Sequence, residues 1–270
     1  MTLYLGSTRV ALTAVPTRFG AAPATFIGDV DSNGVLQAPA TQTNLVFTGV
    51  QNIGNNGLYY GFAFSPTIKS ASFPDLTTLT GATAMYHAFD GTPIESVSFP
   101  VLETIATGGR VVCGAFFDCT SLTSVSFPAL TNFNAGSGGY SFFEGCSSLA
   151  SVSFPVLARV VAAYGFYSAF RDCTSLTTMT FPALAELKGN QAFAYAFRDS
   201  TSLTSVSFPA LTASGLSGYT TQFNSMLYGV TGCTVHFPSN LQTTIGSWSS
   251  VTSGFGGTST TVLFDLPATS

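Results

Sequence analysis

Charge is scarce in this sequence. Its 270 residues include 8 Lys and Arg against 12 Asp and Glu, 7% in all, for a formal net charge of −4. A soluble domain ordinarily carries about 25%. So few cations exclude a nucleic-acid partner, because phosphate binding needs rows of Lys and Arg. Two His and five Cys leave little from which to build a metal site, and no Cys-x-x-Cys is present. No run of 18 apolar residues occurs, so no membrane insertion is expected. Met1–Arg9 offers no basic stretch ahead of an apolar one, so no secretory signal is expected either. Disorder is excluded from the other side, since 46% of residues are hydrophobic and 25 are Phe. The surface must then be built from Ser, Thr, Gly and Asn. Such a surface lacks the repulsion that discourages self-association, so a homo-oligomer or a larger assembly is compatible with it.

What is abundant is repetition. Phe-Pro occurs at Phe73, Phe99, Phe127, Phe154, Phe181, Phe208 and Phe237, at intervals of 26, 28, 27, 27, 27 and 29. A stricter ladder, Phe62, Phe89, Phe116, Phe143, Phe170 and Phe197, keeps a spacing of 27 throughout. Between them, the segment from Cys119 to Leu130 returns nearly unchanged at Cys146–Leu157, Cys173–Leu184 and Ser200–Leu211. One such unit cannot bury its apolar residues alone, whereas stacked units bury a continuous column. Val125 and Phe127 alternate with Ser124 and Ser126, the period-two pattern of a strand with one face inward. Pro128, which cannot donate to a ladder, ends the strand. The spacing predicts parallel strands about 4.8 Å apart, with rows of Ser and Thr hydroxyls outside.

A parallel stack has two raw edges that need covering. Residues 1–44 read as an N-terminal β cap or attachment segment. It contains a hairpin of Leu3–Leu5 with Val10–Leu12, then a second one turning at Asn33-Gly34. Residues 45–238 read as the solenoid, and 239–270 as a C-terminal cap. That cap is predicted to hold a short helix after Ser239, carrying Leu241, Ile245 and Trp248, and a last strand at Thr261–Phe264. The stretch from Leu130 to Phe143 and its equivalents differ in every unit. They read either as recognition loops or as drift without packing constraint.

Few residues suggest chemistry. Tyr59, Tyr86, Tyr140 and Tyr167 share one register, with Cys113 in the rung between. They form either a half-buried structural column or a ring-stacking surface for a sugar or a protein. Cys119, Cys146 and Cys173 stand 27 apart, and Ser200 continues their position. A ladder of buried thiols is therefore expected rather than a bridge. Asp29-Val-Asp31-Ser-Asn33-Gly34 begins like a calcium loop but has Ala40 where a Glu is needed. His87 and His236 read as isolated surface histidines. No Gly-x-Ser-x-Gly occurs, and no enclosed pocket is expected. Arg171-Asp172 and Arg198-Asp199 read as a ladder of ion pairs between rungs.

Ala169 to Leu176, Ala-Phe-Arg-Asp-Cys-Thr-Ser-Leu, resembles the leucine-rich repeats of the BspA-like family, over about residues 45–238. The repeat here is longer than the family's, and the Phe-Pro is a departure. The resemblance implies a mainly β chain with short helical or irregular segments. These form a right-handed parallel solenoid of about seven 27-residue leucine-rich repeats with N- and C-terminal caps. It implies binding at a cell or virion surface, with no catalytic residues, cofactors or metal. With no export signal and a near-neutral surface, the expectation is a host-receptor-binding or structural module of a phage tail or virion appendage. Its partners are then a host-surface protein or glycan and other virion proteins. The alternative is a bacterial cell-surface adhesin. A glycan-degrading tailspike would need two carboxylates converging in a groove, and only Asp118, Glu144, Asp172 and Asp199 lie near one turn of successive repeats.

Overall fold

The computed structural model describes residues 2–5, 8–10, 43–106, 109–134, 136, 138–216, 219–244 and 254–268. The chain opens with an antiparallel hairpin of β1 (Thr2–Leu5) and β2 (Thr8–Val10). β1 also lies antiparallel on β3 (Asn44–Thr48). The second hairpin and the calcium-like loop expected at 29–40 lie outside the described residues.

From β3 onward the chain winds as a solenoid. Its first face is a row of parallel strands, β3, β5 (Ser70–Ser72), β7 (Ser96–Ser98), β9 (Ser124–Ser126) and β11 (Ser151–Ser153). It continues through β13 (Thr178–Thr180), β15 (Ser205–Ser207), β16 (Thr234–Pro238) and β17 (Thr261–Leu266). Ser124, Val125 and Ser126 pair with Ser151, Val152 and Ser153, a shift of one whole repeat. Val125 points in at 4% exposure while its serine neighbours face out. The alternation seen in the sequence is thus the pleat itself.

Nine first-face strands bound about eight turns, two rungs more than the seven Phe-Pro sites. The missed rungs are the ends, Phe47 and Phe264, which lack the Pro. Phe47, Phe73, Phe99, Phe127, Phe154, Phe181, Phe208, Phe237 and Phe264 stack in one file, with neighbouring ring centroids 4.5 to 6.1 Å apart. The second file, Phe62 to Phe197, keeps 5.3 to 5.8 Å. Phe116, Phe143 and Phe170 therefore lie directly one above the next. The two files meet edge to face, as in Phe127 with Phe143 at 6.3 Å and 61°. That geometry suits the ring quadrupoles.

A second face went unread in the sequence. Two-residue strands β4 (Asn52–Ile53), β6 (Thr78–Leu79), β8 (Thr104–Ile105), β10 (Asn132–Phe133), β12 (Arg159–Val160) and β14 (Glu186–Leu187) form another parallel sheet. The stretch after Leu130 that varies between repeats is thus partly regular. Only its inward residue is constrained, and Ile53, Leu79, Ile105, Phe133, Val160 and Leu187 are all buried. In the C-terminal region, α2 (Leu241–Thr244) follows Ser239, as predicted, and β17 extends the stack. Ile245 and Trp248 lie outside the described residues.

The third face is neither helix nor sheet. Backbone N–H groups alternate between the next rung and the carbonyl three residues back. Val112, Gly114, Phe116 and Asp118 donate to Gly138, Tyr140, Phe142 and Glu144, while Cys113, Ala115 and Phe117 donate to Arg110, Val112 and Gly114. All these groups are thereby satisfied. The bending needs a left-handed residue at every fourth place, as at Gly114 (φ +58°) and Asp118 (φ +53°). The equivalent of Asp118 in the next rung is Gly145 (φ +78°), where any Cβ would strike the Asp118 carboxylate.

The cysteine ladder has a polar purpose. The thiols of Cys119, Cys146 and Cys173 donate to the carbonyls of Phe89, Phe116 and Phe143 at 3.0 to 3.2 Å. Ser200 does the same to Phe170 at 2.6 Å. The position wants a small buried donor, which explains why Cys and Ser interchange. All described cysteines are free and buried.

Replacing Phe143 by Ala, in the middle of its file, should lower stability by about 3–5 kcal/mol in urea unfolding; a loss below 1 kcal/mol would mean the file is not a packing column. Burial also pushes the Cys146 and Cys173 thiols well above their ordinary range. Folded protein at pH 8 should leave Cys119, Cys146 and Cys173 unlabelled by a thiol reagent, and denatured protein should expose all five.

Candidate functional site

The third face carries most of the aromatic groups that are not fully buried. Its repeat places one side chain beside the next at every rung, so residues 27 apart form files along the rod. Tyr59 stacks on Tyr86 at 5.2 Å and 13°, and Tyr140 on Tyr167 at 4.9 Å and 11°. Tyr59, Tyr86 and Tyr167 are half-buried, and Tyr140 is 42% exposed. These four residues thus form two stacked pairs rather than one column.

The gap between the pairs falls at the rung of Cys113-Gly114. Cys113 stands where its neighbours have Tyr, and Gly114 stands between His87 and Ser141 in the adjacent file. Gly114 is doubly required there. Its φ is +58°, and a Cβ would run into the His87 imidazole, which leans over it. His87 in turn stacks on Tyr60 at 5.1 Å and 13°. Two adjacent files therefore shrink in the same rung, one to a thiol and the other to a hydrogen. The result is an open cleft of about 460 Å³ lined by Tyr86, His87, Arg110, Cys113, Phe117 and Tyr140, with Ser141 and Tyr164 at its edge. A cleft was not expected from the repeat.

The polar groups around the cleft are ordered. His87 Nδ1 lies 2.7 Å from Asp90 Oδ2, so this histidine is not isolated. His236 likewise meets Asp265 at 2.9 Å. Ser141 donates to Glu144, whose other oxygen accepts from Arg171 at 3.1 Å. Burial raises the Glu144 pKa, against the pull of Ser141 and Arg171. Arg110 reaches the Tyr86 hydroxyl at 3.5 Å and has no carboxylate partner among the described residues. At the cleft floor, burial pushes the Cys113 thiol up to about 11, which keeps it neutral and a poor nucleophile.

The expected Arg-Asp ladder is different in form. Arg171 pairs with Asp172 at 3.3 Å and Arg198 with Asp199 at 3.1 Å, each within its own rung. The pairing between rungs belongs to Arg171 and Glu144, because the guanidinium reaches back one turn to the less exposed carboxylate. Asp118, Asp172 and Asp199 do share one file, and burial raises the Asp118 pKa. Among the described residues no group of three or more His, Cys, Asp or Glu is disposed to hold a metal ion. No described helix is long and apolar enough to cross a membrane. Sequence reasoning missed Arg110, Gly114, Phe117, Ser141 and Tyr164. The legible signal was the joint shrinkage at 113 and 114 of two files that are large in the rung before.

Desolvation, then neighbouring Tyr86, pushes the Tyr60 phenol up to about 12, and burial also raises Tyr140 and Tyr167. The folded state holds these protons more tightly than the unfolded chain, whose phenols titrate near pH 10. Their contribution to stability is intact below about pH 10 and is lost as pH rises from there through the folded values. Absorbance titration at 295 nm should show a late-ionising class of tyrosines, with thermal stability falling over the same range. Uniform ionisation near pH 10 would contradict this.

The chain resembles known proteins in this architecture. The family model described as "BspA type Leucine rich repeat region" matches in six copies, over residues 43–168, 84–217 and 167–249. No curated protein matches. A leucine-rich repeat protein from Bacteroides ovatus is 18% identical with a TM-score of 0.43, over 84% of this chain and 53% of its own. This chain therefore spans about half the length of that protein. The T. pallidum leucine-rich repeat protein TpLRR is 19% identical with a TM-score of 0.36, over 92% of this chain and 99% of its own. With 27-residue turns, a parallel Ser-Val-Ser face and a family match across most of its length, the chain belongs to the BspA-type leucine-rich repeat family.

Proposed function

We propose that this chain is a non-enzymatic binding module that recognises a host-cell surface, a protein or a glycan, from a phage tail or other virion appendage. The observation that carries the reading is the third face, with its half-exposed tyrosine pairs held in register on a stiff rod. Tyrosine gives large contact area at small entropic cost, which suits recognition. The first face presents rows of Ser and Thr, which offer hydrogen bonds, and the chain's few charges nearly cancel, which leaves little long-range attraction. The hairpin β1–β2 adds antiparallel pairing at one end, in keeping with an attachment segment. A non-enzymatic role is supported by three of the four carboxylates near this turn. Glu144, Asp172 and Asp199 are each engaged by an arginine.

Mass spectrometry of purified virions and of host envelopes should find the chain in the virions. Labelled protein should sediment with host cells, and Tyr140→Ala with Tyr167→Ala should weaken this about tenfold or more, as for central aromatic contacts. Recovery from bacterial envelopes and not from virions would replace the virion reading with that of a surface adhesin. Undiminished cell binding by the double variant would remove the tyrosine face from recognition.

A further inference from the structure

The missing rung at Cys113-Gly114 has the shape of a site for one ring. Adjacent tyrosines in this file lie 4.9 to 5.2 Å apart. Skipping a rung leaves two strand spacings, about 9.5 Å, between the Tyr86 and Tyr140 rings. Two carbon-to-carbon contacts of about 3.5–4.0 Å fill about 7–8 Å of that. A flat aromatic ring between the walls would leave slack. A puckered saturated ring, with axial atoms on both sides, takes it up.

The rim decides further. Arg110 is exposed, holds its guanidinium carbon 5.9 Å from the Tyr86 ring centroid at the hydroxyl end of that wall, and offers donors without a carboxylate partner among the described residues. His87 Nδ1 is held 2.7 Å from Asp90, which turns the Nε2 edge of the ring toward Gly114 as a hydrogen-bonding group. Ser141 gives its proton to Glu144 and keeps an oxygen free to accept. Donors and acceptors thus ring an aromatic clamp. A flat hydrocarbon would satisfy none of them, and a ring bearing several hydroxyls meets both kinds.

We infer that the notch between Tyr86 and Tyr140 binds a single pyranose residue of a host glycan, sandwiched between the two rings with its hydroxyls toward Arg110, His87 and Ser141. This rests on the reading of the third face as a recognition surface and names what one part of it takes. A single sugar gives few contacts, so its Kd is on the order of 1–10 mM. Cys113 is backbone-equivalent to Tyr86 and Tyr140 and has no left-handed φ, so a tyrosine there continues the file and fills the slot.

Saturation-transfer NMR on the full chain tests the site. The probes are methyl glucopyranoside, methyl galactopyranoside, methyl mannopyranoside, N-acetylglucosamine and N-acetylneuraminic acid, with indole as the flat competitor. At least one pyranose should receive saturation at its ring protons. The signal should fall about tenfold in Cys113→Tyr, which occupies the slot, and in Tyr140→Ala, which removes a wall. Tyr59→Ala, outside the slot, should keep it. Circular dichroism checks that each variant folds, and Tyr140→Ala carries the test if Cys113→Tyr does not. Absence of transfer to every pyranose, equal transfer to the parent and the slot variants, or transfer to indole alone would each overturn the site. If Cys113→Tyr still sediments with host cells while no sugar binds, the slot fails and the recognition face stands. If cell binding is absent in the parent, the broader reading fails by itself.

Discussion

Phenylalanine on phenylalanine is the contact on which the molecule depends. Each turn of about 27 residues brings its rings over those of the turn before, and the files of Phe47 to Phe264 and Phe62 to Phe197 run through the rod. Every other regularity is slaved to that stacking. The valines between the serines are inward because the Phe two residues on is inward. The prolines after the Phe fall at the corner because the chain must turn to begin the second face. Stability in such a body is close to a sum over turns and their interfaces. A defect in a middle turn costs two interfaces, and one at the end costs a single interface.

Much of this was legible from spacing alone. Identical residues at a fixed interval are a direct statement that their environments are identical, and for Phe116, Phe143 and Phe170 the environment is one another. The second face was harder to see because its strands are two residues long, with one buried position each. Ile53, Leu79, Ile105, Phe133, Val160 and Leu187 vary in shape and sit among unlike neighbours, so no motif announces them. The third face was hidden for a different reason. Its backbone alternates between two kinds of hydrogen bond, which matches neither the helical period nor the strand period. Its signature is conformational: Gly, Asp, Ser and Asn recur where left-handed residues are needed, with bulky exceptions such as Tyr60 and His87.

The cleft follows the same logic. A register of tyrosines was readable, and so was the cysteine that interrupts it. What a linear reading did not supply is that interruption in a stack makes a space. A missing side chain in an ordinary loop is filled by its neighbours moving. In a solenoid the rungs above and below are fixed by their own hydrogen bonds, so the vacancy persists. Gly114 enlarges it, and the imidazole of His87 is held at its edge by Asp90 rather than falling in.

Ala185 and Thr212, at the start of two successive second faces, are 27 apart, yet Leu187 bridges to Leu216, which is 29 on. The chain has slipped in extra residues at one bend, and the buried Gln222 side chain donates to the Leu187 carbonyl at 2.5 Å where a strand amide served before. The file of Phe47 to Phe264 passes this place unbroken, with Phe208 on Phe237, and beside it Phe193 stacks on Phe223. Length can therefore be added or removed at the bends while the interior keeps step. Such a body can reshape its outline one residue at a time without re-solving how to fold.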